Sequence, residues 1–232
     1  MKILGIQKTT LLDFPGHVAT TLFTGGCNFR CPFCHNASFV LSPDLEEACD
    51  EEEILSFLRK RSNVLEGVCI TGGEPTLQPD LAPFMEKIHN IGYFIKLDTN
   101  GYRPDILKEL FTKNLIDFCA MDIKSSFDKY TDLTGLSYID TSKIMDSVNL
   151  IRNSGKPYEF RTTVVMELHR FEDLWAIANT LSPSDPYILQ SYVESDTVIC
   201  PGFHPYPPEI MQEFLCKIKS LLPKATLRGI SL

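Results

Sequence analysis

The chain has 232 residues, enough to bury one sizeable core as a single domain over 1–232. Apolar residues make up 44% and charged residues 22%, the balance of a soluble globular protein rather than a disordered or fibrous one. The formal net charge of −8, with no run of Lys and Arg, argues against a nucleic-acid backbone as partner, and no apolar stretch is long enough to span a membrane.

In chain order, Met1-Lys2-Ile3-Leu4 lacks the long apolar core of a signal peptide, which predicts a cytoplasmic, reducing compartment. Leu12-Asp13-Phe14-Pro15-Gly16 reads as a turn before a strand over 17–24. Gly25 and Gly26 end that strand and open a loop with Cys27, Cys31 and Cys34. Asp50 and Glu53 have the spacing of a helix N-cap, followed by Ile54, Leu55, Phe57 and Leu58 on an apolar face. A second strand over 67–71 ends at Gly72-Gly73-Glu74-Pro75. Pro79 is expected in the first turn of a helix that Gly92 closes. A third strand over 93–97 runs into Asp98-Thr99-Asn100-Gly101, and Pro104 begins the next helix. A fourth strand over 116–123 carries Asp122 and is followed by Lys124. Helices around Ile144–Ile151 and Leu174–Leu181 alternate with strands over 159–166 and 187–192. Pro207 and Pro208 introduce a last helix, and 225–227 adds a short strand. Strand and helix alternate about six times, which means a parallel sheet with crossover helices.

The cysteine loop is the chemical centre. Its spacing is C-x₃-C-x₂-C, and an odd number of thiols in a tight loop does not suit disulfides. A closed zinc site needs a fourth ligand; His35 would serve only if two adjacent side chains, Cys34 and His35, converged on one metal. A four-iron cluster on three thiolates fits better and leaves one iron open to a ligand. Cys49, Cys69, Cys119, Cys200 and Cys216 are dispersed and read as buried small hydrophobes, so one cluster is expected. His17, His89, His169 and His204 have no metal-like partners in the sequence and read as surface or core histidines. Gly or charged residues follow four successive strands, and ligands in parallel α/β folds bind outside the carboxyl ends of strands.

With Phe33 as the aromatic before Cys34, the loop resembles that of the radical S-adenosylmethionine enzymes. Cys34-His35-Asn36 and Leu12-Asp13-Phe14-Pro15-Gly16 resemble segments of the activating enzymes of glycyl-radical enzymes; over its whole length the chain is most similar to anaerobic ribonucleoside-triphosphate reductase activating proteins. The resemblance implies a partial (β/α)6 barrel of parallel strands with outer helices. It also implies a 4Fe–4S cluster on Cys27, Cys31 and Cys34 that cleaves S-adenosylmethionine reductively to raise a glycyl radical on a partner. By the same resemblance, Gly72, Gly73, Glu74 and Pro75 meet the amino group of the cofactor. Asp98, Thr99, Asn100 and Asp122 form a polar shell with a monovalent cation, Lys124 lies near the methionyl carboxylate, and Asp13 lies near the substrate glycine. Flavodoxin or ferredoxin is the expected electron donor. Phe14 stands where related activases have Gly, and Gln190-Ser191-Tyr192 ends a strand where they often place a histidine, so no role is carried to Gln190 or Tyr192. Arg161 reads equally as a ligand-facing charge and as a structural ion pair. Two other readings are weighed beside this one. One is a small-molecule radical enzyme similar to 7-carboxy-7-deazaguanine synthase; the other is a zinc-binding interaction module on Cys27, Cys31, Cys34 and His35.

Overall fold

The computed structural model describes residues 1–230. Its strands are β1 (Ile3–Thr10), β2 (Ala19–Thr24), β3 (Gly67–Gly72), β4 (Phe94–Thr99), β5 (Phe118–Asp122), β6 (Tyr158–Val164), β7 (Tyr187–Ser191) and β8 (Thr226–Arg228). They lie side by side in chain order, with β2 to β8 parallel and β1 antiparallel to β2. The helices are α1 (Ala37–Leu41), α2 (Glu51–Arg61), α3 (Leu81–Ile91), α4 (Pro104–Thr112), α5 (Tyr130–Thr134), α6 (Ser142–Arg152), α7 (Phe171–Thr180) and α8 (Pro208–Ile218). The edge strands β1 and β8 are not paired with each other, so the barrel is partial, as expected. No helix among the described residues is long and apolar enough to cross a membrane.

Strand periodicity sorts the side chains onto two faces. Leu22, Val68, Ile70, Ile95, Leu97, Met121 and Phe160 are buried together with the apolar faces of the helices. The opposite face is polar. Every strand sends a residue to one inner cavity: Gln7, Thr21, Thr71, Asp98, Asp122, Arg161, Gln190 and Arg228. A filled barrel carries branched apolar residues here, whereas this one keeps charges and a cleft.

At the amino-terminal ends of the strands, Phe14 is buried against His17 (ring centroids 4.6 Å apart) and Phe118 (6.1 Å). The first residue of β3 is Gly67; a Cβ there would lie 2.6 Å from Phe14 Cδ1. The departure from Gly at position 14 therefore has a structural role: the ring plugs the amino-terminal end of the barrel.

Four elements differ from the sequence reading. β1 was not expected, because an edge strand containing Gly5, Gln7 and Lys8 has little apolar pattern. Pro79 lies before the N-cap Asp80 rather than in the first turn of α3. The short helices α1 and α5 span five residues each, less than two turns, and escape a periodicity search. Of the dispersed cysteines, Cys69 and Cys119 are buried, but Cys200 and Cys216 are exposed, one on a loop and the other on the solvent face of α8.

Replacing Phe14 by Ala should lower stability by about 3 kcal/mol, the cost of emptying a buried aromatic site, read as a shift in urea midpoint at constant slope. Gly67→Ala should also destabilise alone but cost little in the Phe14→Ala background, because the methyl then enters vacated space.

Candidate active site

The loop after β2 is held by the loop after β3. The Gly73 amide donates to Thr24 O at 2.8 Å and the Glu74 amide to Gly26 O at 2.8 Å. A Cβ on Gly73 would overlap the Gly26 carbonyl, so this approach requires glycine. Within the cysteine loop the Phe29 amide donates to Cys27 Sγ at 3.3 Å, and the Cys34 amide to Cys31 O at 3.0 Å. Cys27, Cys31 and Cys34 line one cleft at the carboxyl ends of the strands. Burial pushes the Cys27 thiol up to about 12 and the Cys31 thiol up to about 11. Such thiols surrender their protons to a metal cation rather than to water. Among the described residues no group of three or more His, Cys, Asp or Glu side chains is arranged to hold a single metal ion. His35 lines the same cleft, but its Nε2 is engaged by the Val193 carbonyl at 2.6 Å and its ring lies 5.4 Å from that of Tyr192. Three thiols without the imidazole are a donor set for a multi-iron cluster and a poor one for zinc.

A segment over 193–207, between β7 and α8, straps this loop in place. The Ile199 amide donates to Cys34 O at 3.1 Å, Cys200 to Pro32 O at 2.8 Å and Ala37 to Thr197 O at 3.2 Å. Nothing periodic in the sequence marks the strap.

Glu74 is buried, and its carboxylate braces neighbouring loops. It accepts from Thr76 N (3.1 Å), Thr76 Oγ1 (2.6 Å), Thr99 Oγ1 (2.8 Å) and Asn100 N (2.7 Å). Burial raises its pKa against the pull of these donors. Asn100 Nδ2 donates in turn to Asn28 Oδ1 at 2.8 Å, tying the loop after β4 to the cysteine loop. Asn36 Nδ2 donates to Gly72 O at 2.8 Å. Pro75 starts a 3-10 turn, Pro75–Leu77, and does not line the cleft.

Below the cleft lies a chain of charges. In register, Asp122 of β5 is opposite Arg161 of β6. Arg161 donates through Nε to Asp122 Oδ1 at 2.8 Å and reaches Asp98 Oδ2 at 3.3 Å. Lys124 meets Asp122 Oδ2 at 3.1 Å, and Lys96 pairs with Asp98 Oδ1. Arg228 grips Glu159 with two bonds of 2.9 and 2.8 Å. Burial opposes the charge of both aspartates, but Arg161, with Lys124 on Asp122 and Lys96 on Asp98, outweighs it and holds both below the usual carboxylate range. Burial likewise opposes the Lys124 charge, and Asp122 overrides it and raises the lysine pKa. The backbone of Lys124 is fixed on both sides: its amide donates to Tyr130 Oη at 3.1 Å, and His169 Nε2 meets its carbonyl at 2.8 Å. Val165 N donates to His169 Nδ1 at 3.1 Å, and burial lowers the imidazole pKa, so His169 sits neutral with its proton on Nε2.

The structure thus brings Cys27, Cys31, Cys34, Gly72, Gly73, Glu74, Asp98, Thr99, Asn100, Asp122 and Lys124 to one cleft. Asp13 lines the inner cavity instead, accepting from Thr21 Oγ1 at 2.6 Å. Cleft and cavity are neighbours with a common wall, because Thr71, Asp98, Asp122 and Thr163 line both. Arg161 is at once an ion-pair partner and a wall of the cavity, which unites its two readings. The sequence reading missed Lys96. The available signal was its place two residues before Asp98 in a strand, which puts both on one face.

Replacing Cys27, Cys31 or Cys34 by Ala should abolish the iron and sulfide content of anaerobically reconstituted protein, while Ala at Cys49, Cys69, Cys119, Cys200 or Cys216 should leave it intact. Gly73→Ala should also lose the cluster, because the clash falls on the loop that carries the thiols.

The sequence model of the Radical SAM superfamily matches residues 21–181. A Methanocaldococcus jannaschii protein provisionally named a glycyl-radical enzyme activating enzyme is 32% identical over 201 residues, covering 84% of this chain and 81% of that protein. A pyruvate formate-lyase-activating enzyme of Staphylococcus aureus is 32% identical over 159 residues, 66% of this chain and 57% of its own length. Among solved structures, Streptococcus suis SuiB bound to S-adenosylmethionine aligns with a TM-score of 0.68 at 14% identity, over 88% of this chain and 48% of that one. Coproporphyrinogen III oxidase from Escherichia coli aligns with a TM-score of 0.58 at 13% identity, over 90% of this chain and 54% of that one. These two share the fold. The chain belongs to the radical S-adenosylmethionine superfamily, within its glycyl-radical-enzyme activating enzymes, and its cofactors are a 4Fe–4S cluster and S-adenosylmethionine.

Proposed function

We propose that this chain, working as one domain in the cytoplasm, installs the glycyl radical of an anaerobic ribonucleoside-triphosphate reductase. The observation that carries this reading is the polar inner cavity, which shares the walls Asp98 and Asp122 with the cleft and lies within a sheet whose edges β1 and β8 remain apart. Leu12, at the cavity wall, is largely exposed, so the cavity reaches the surface. An extended glycine loop of a partner fits such a passage, and a bulky macromolecular substrate then needs no large pocket of its own. The similarity of the whole chain to reductase-activating proteins, and the lack of a second cysteine-rich segment, favour the reductase as partner. The relative from S. aureus favours a second reading, in which the partner is pyruvate formate-lyase.

Cys27, Cys31 and Cys34 would hold the cluster. The Gly72–Gly73 main chain would meet the amino group of the cofactor, and Lys124, fixed by Tyr130 and His169, would meet its carboxylate. When bound, the reduced cluster and S-adenosylmethionine supply the one-electron chemistry by which a hydrogen atom leaves the α-carbon of the partner's glycine. Asp13, held by Thr21 above the Phe14 plug, would position that glycine by accepting from its main chain. The strap over 193–207 would hold the cysteine loop in place around the cluster. A flavodoxin or ferredoxin would deliver the electron.

An anaerobic electron paramagnetic resonance experiment tests this reading. Reconstituted protein, dithionite, S-adenosylmethionine and the reductase from the same source should together yield a persistent glycyl-radical doublet. A reduced-cluster signal with no doublet from the reductase, but one from pyruvate formate-lyase, would move the assignment to the second reading. Asp13→Asn should keep the cluster and cofactor binding while slowing radical formation at least about tenfold, or ~1.4 kcal/mol of barrier.

A further inference from the structure

The polar shell at the carboxyl ends of β4 and β5 is where the family resemblance places a monovalent cation. The donors expected to hold it are engaged otherwise. Thr99 Oγ1 donates to Glu74 at 2.8 Å and accepts from the Gly101 amide at 3.1 Å. Asp98 presents Oδ1 to Lys96 and Oδ2 to Arg161. Asp122 presents Oδ1 to Arg161 at 2.8 Å and Oδ2 to Lys124 at 3.1 Å. Each of the four carboxylate oxygens therefore already faces a fixed cation of the protein. An alkali ion would share these oxygens with protein cations and be repelled by them.

Lys96 is the unusual member. Its residue is only 1% exposed, and in register it lies between Cys69 of β3 and Phe118 of β5, in the wall of the inner cavity. Its Nζ is 3.8 Å from Cys69 Sγ and 6.0 Å from the Phe118 ring centre. Taking an ammonium out of water costs several kcal/mol unless a partner of opposite charge is fixed beside it. Asp98, two residues on and on the same face of β4, is that partner.

We propose that the Lys96 ammonium is the monovalent cation of this site. A flexible ligand ion is replaced by a charge on a rigid strand, held under Asp98, and cofactor binding becomes independent of added alkali ions. The proposal concerns the cofactor alone, so its fate is separate from the identity of the glycyl-radical partner.

The test is calorimetric titration of S-adenosylmethionine into reconstituted protein in tetramethylammonium chloride, potassium chloride and sodium chloride at equal ionic strength. Wild-type affinities should agree within about twofold. Lys96→Met should bind about tenfold or more weakly in tetramethylammonium, the equivalent of ~1.4 kcal/mol, and recover when potassium or sodium enters the vacated place. Iron and sulfide content, with far-ultraviolet circular dichroism, checks that the variant is intact. If the variant does not fold, the wild-type comparison decides by itself. Wild-type binding that tightens about tenfold on adding potassium or sodium overturns the proposal. So does a Lys96→Met protein that binds as tightly as wild type without alkali ions, or one whose weakened binding no alkali ion restores.

Discussion

Charges inside a curled sheet must be paired, and the pairing of Arg161 with Asp98 and Asp122 is the contact on which the rest of this barrel depends. An unpaired charge in that position would carry the full cost of desolvation. Because Arg161 bridges β4 and β5 from β6, it ties three strands together on their polar side while the helices hold them on the apolar side. The cavity survives for the same reason: an inner face of charges cannot collapse into a dry core. Structure and site are thus one arrangement, in which the groups that keep the barrel hollow also stand beside the cofactor cleft.

Above that network, loops hold loops. Glu74 uses its carboxylate to fasten Thr99 and Asn100, Asn100 reaches Asn28, and Gly73 lies against the main chain of Gly26. The cysteine loop has little regular structure of its own, yet each flank is fixed by a neighbour. The strap over 193–207 completes the enclosure from the far end of the chain. A cluster site made this way is preorganised by hydrogen bonds to main chain, which leaves the thiols free for iron. His169 shows the same economy: a neutral buried imidazole fixes the carbonyl of Lys124, so that the charge at the cleft stands on a rigid backbone.

Much of this was legible in the sequence, residue by residue. The spacing of Cys27, Cys31 and Cys34 announces metal chemistry because thiols so close in sequence must be close in space. Gly72-Gly73, Asp98-Thr99 and Asp122 fall at strand ends, and parallel strands bring their ends to one rim. Asp50 and Gly92 mark helix ends through local hydrogen bonding and backbone freedom, and they stand there in the structure. All of these signals are local, or follow from the regular geometry of a strand followed by a helix.

What the sequence left open depends on contacts between distant segments. Glu74, expected to meet an ammonium group, is also a brace between loops, because its partners Thr99 and Asn100 come from the next strand end. Phe14 looked like a departure from a glycine turn and proves to be a plug, because Gly67 leaves room for its ring. Lys96 looked like an ordinary strand residue and stands under the cofactor cleft, because β4 is flanked on both sides and its inner face has nowhere else to point. The sequence by itself determined the spacing of the three thiols, the alternation of strand and helix, and the strand ends that carry Gly and charged residues. The tertiary structure alone decided which charges meet, which loops brace one another and where the barrel is stopped, because those depend on sheet register and on packing between residues far apart in the chain.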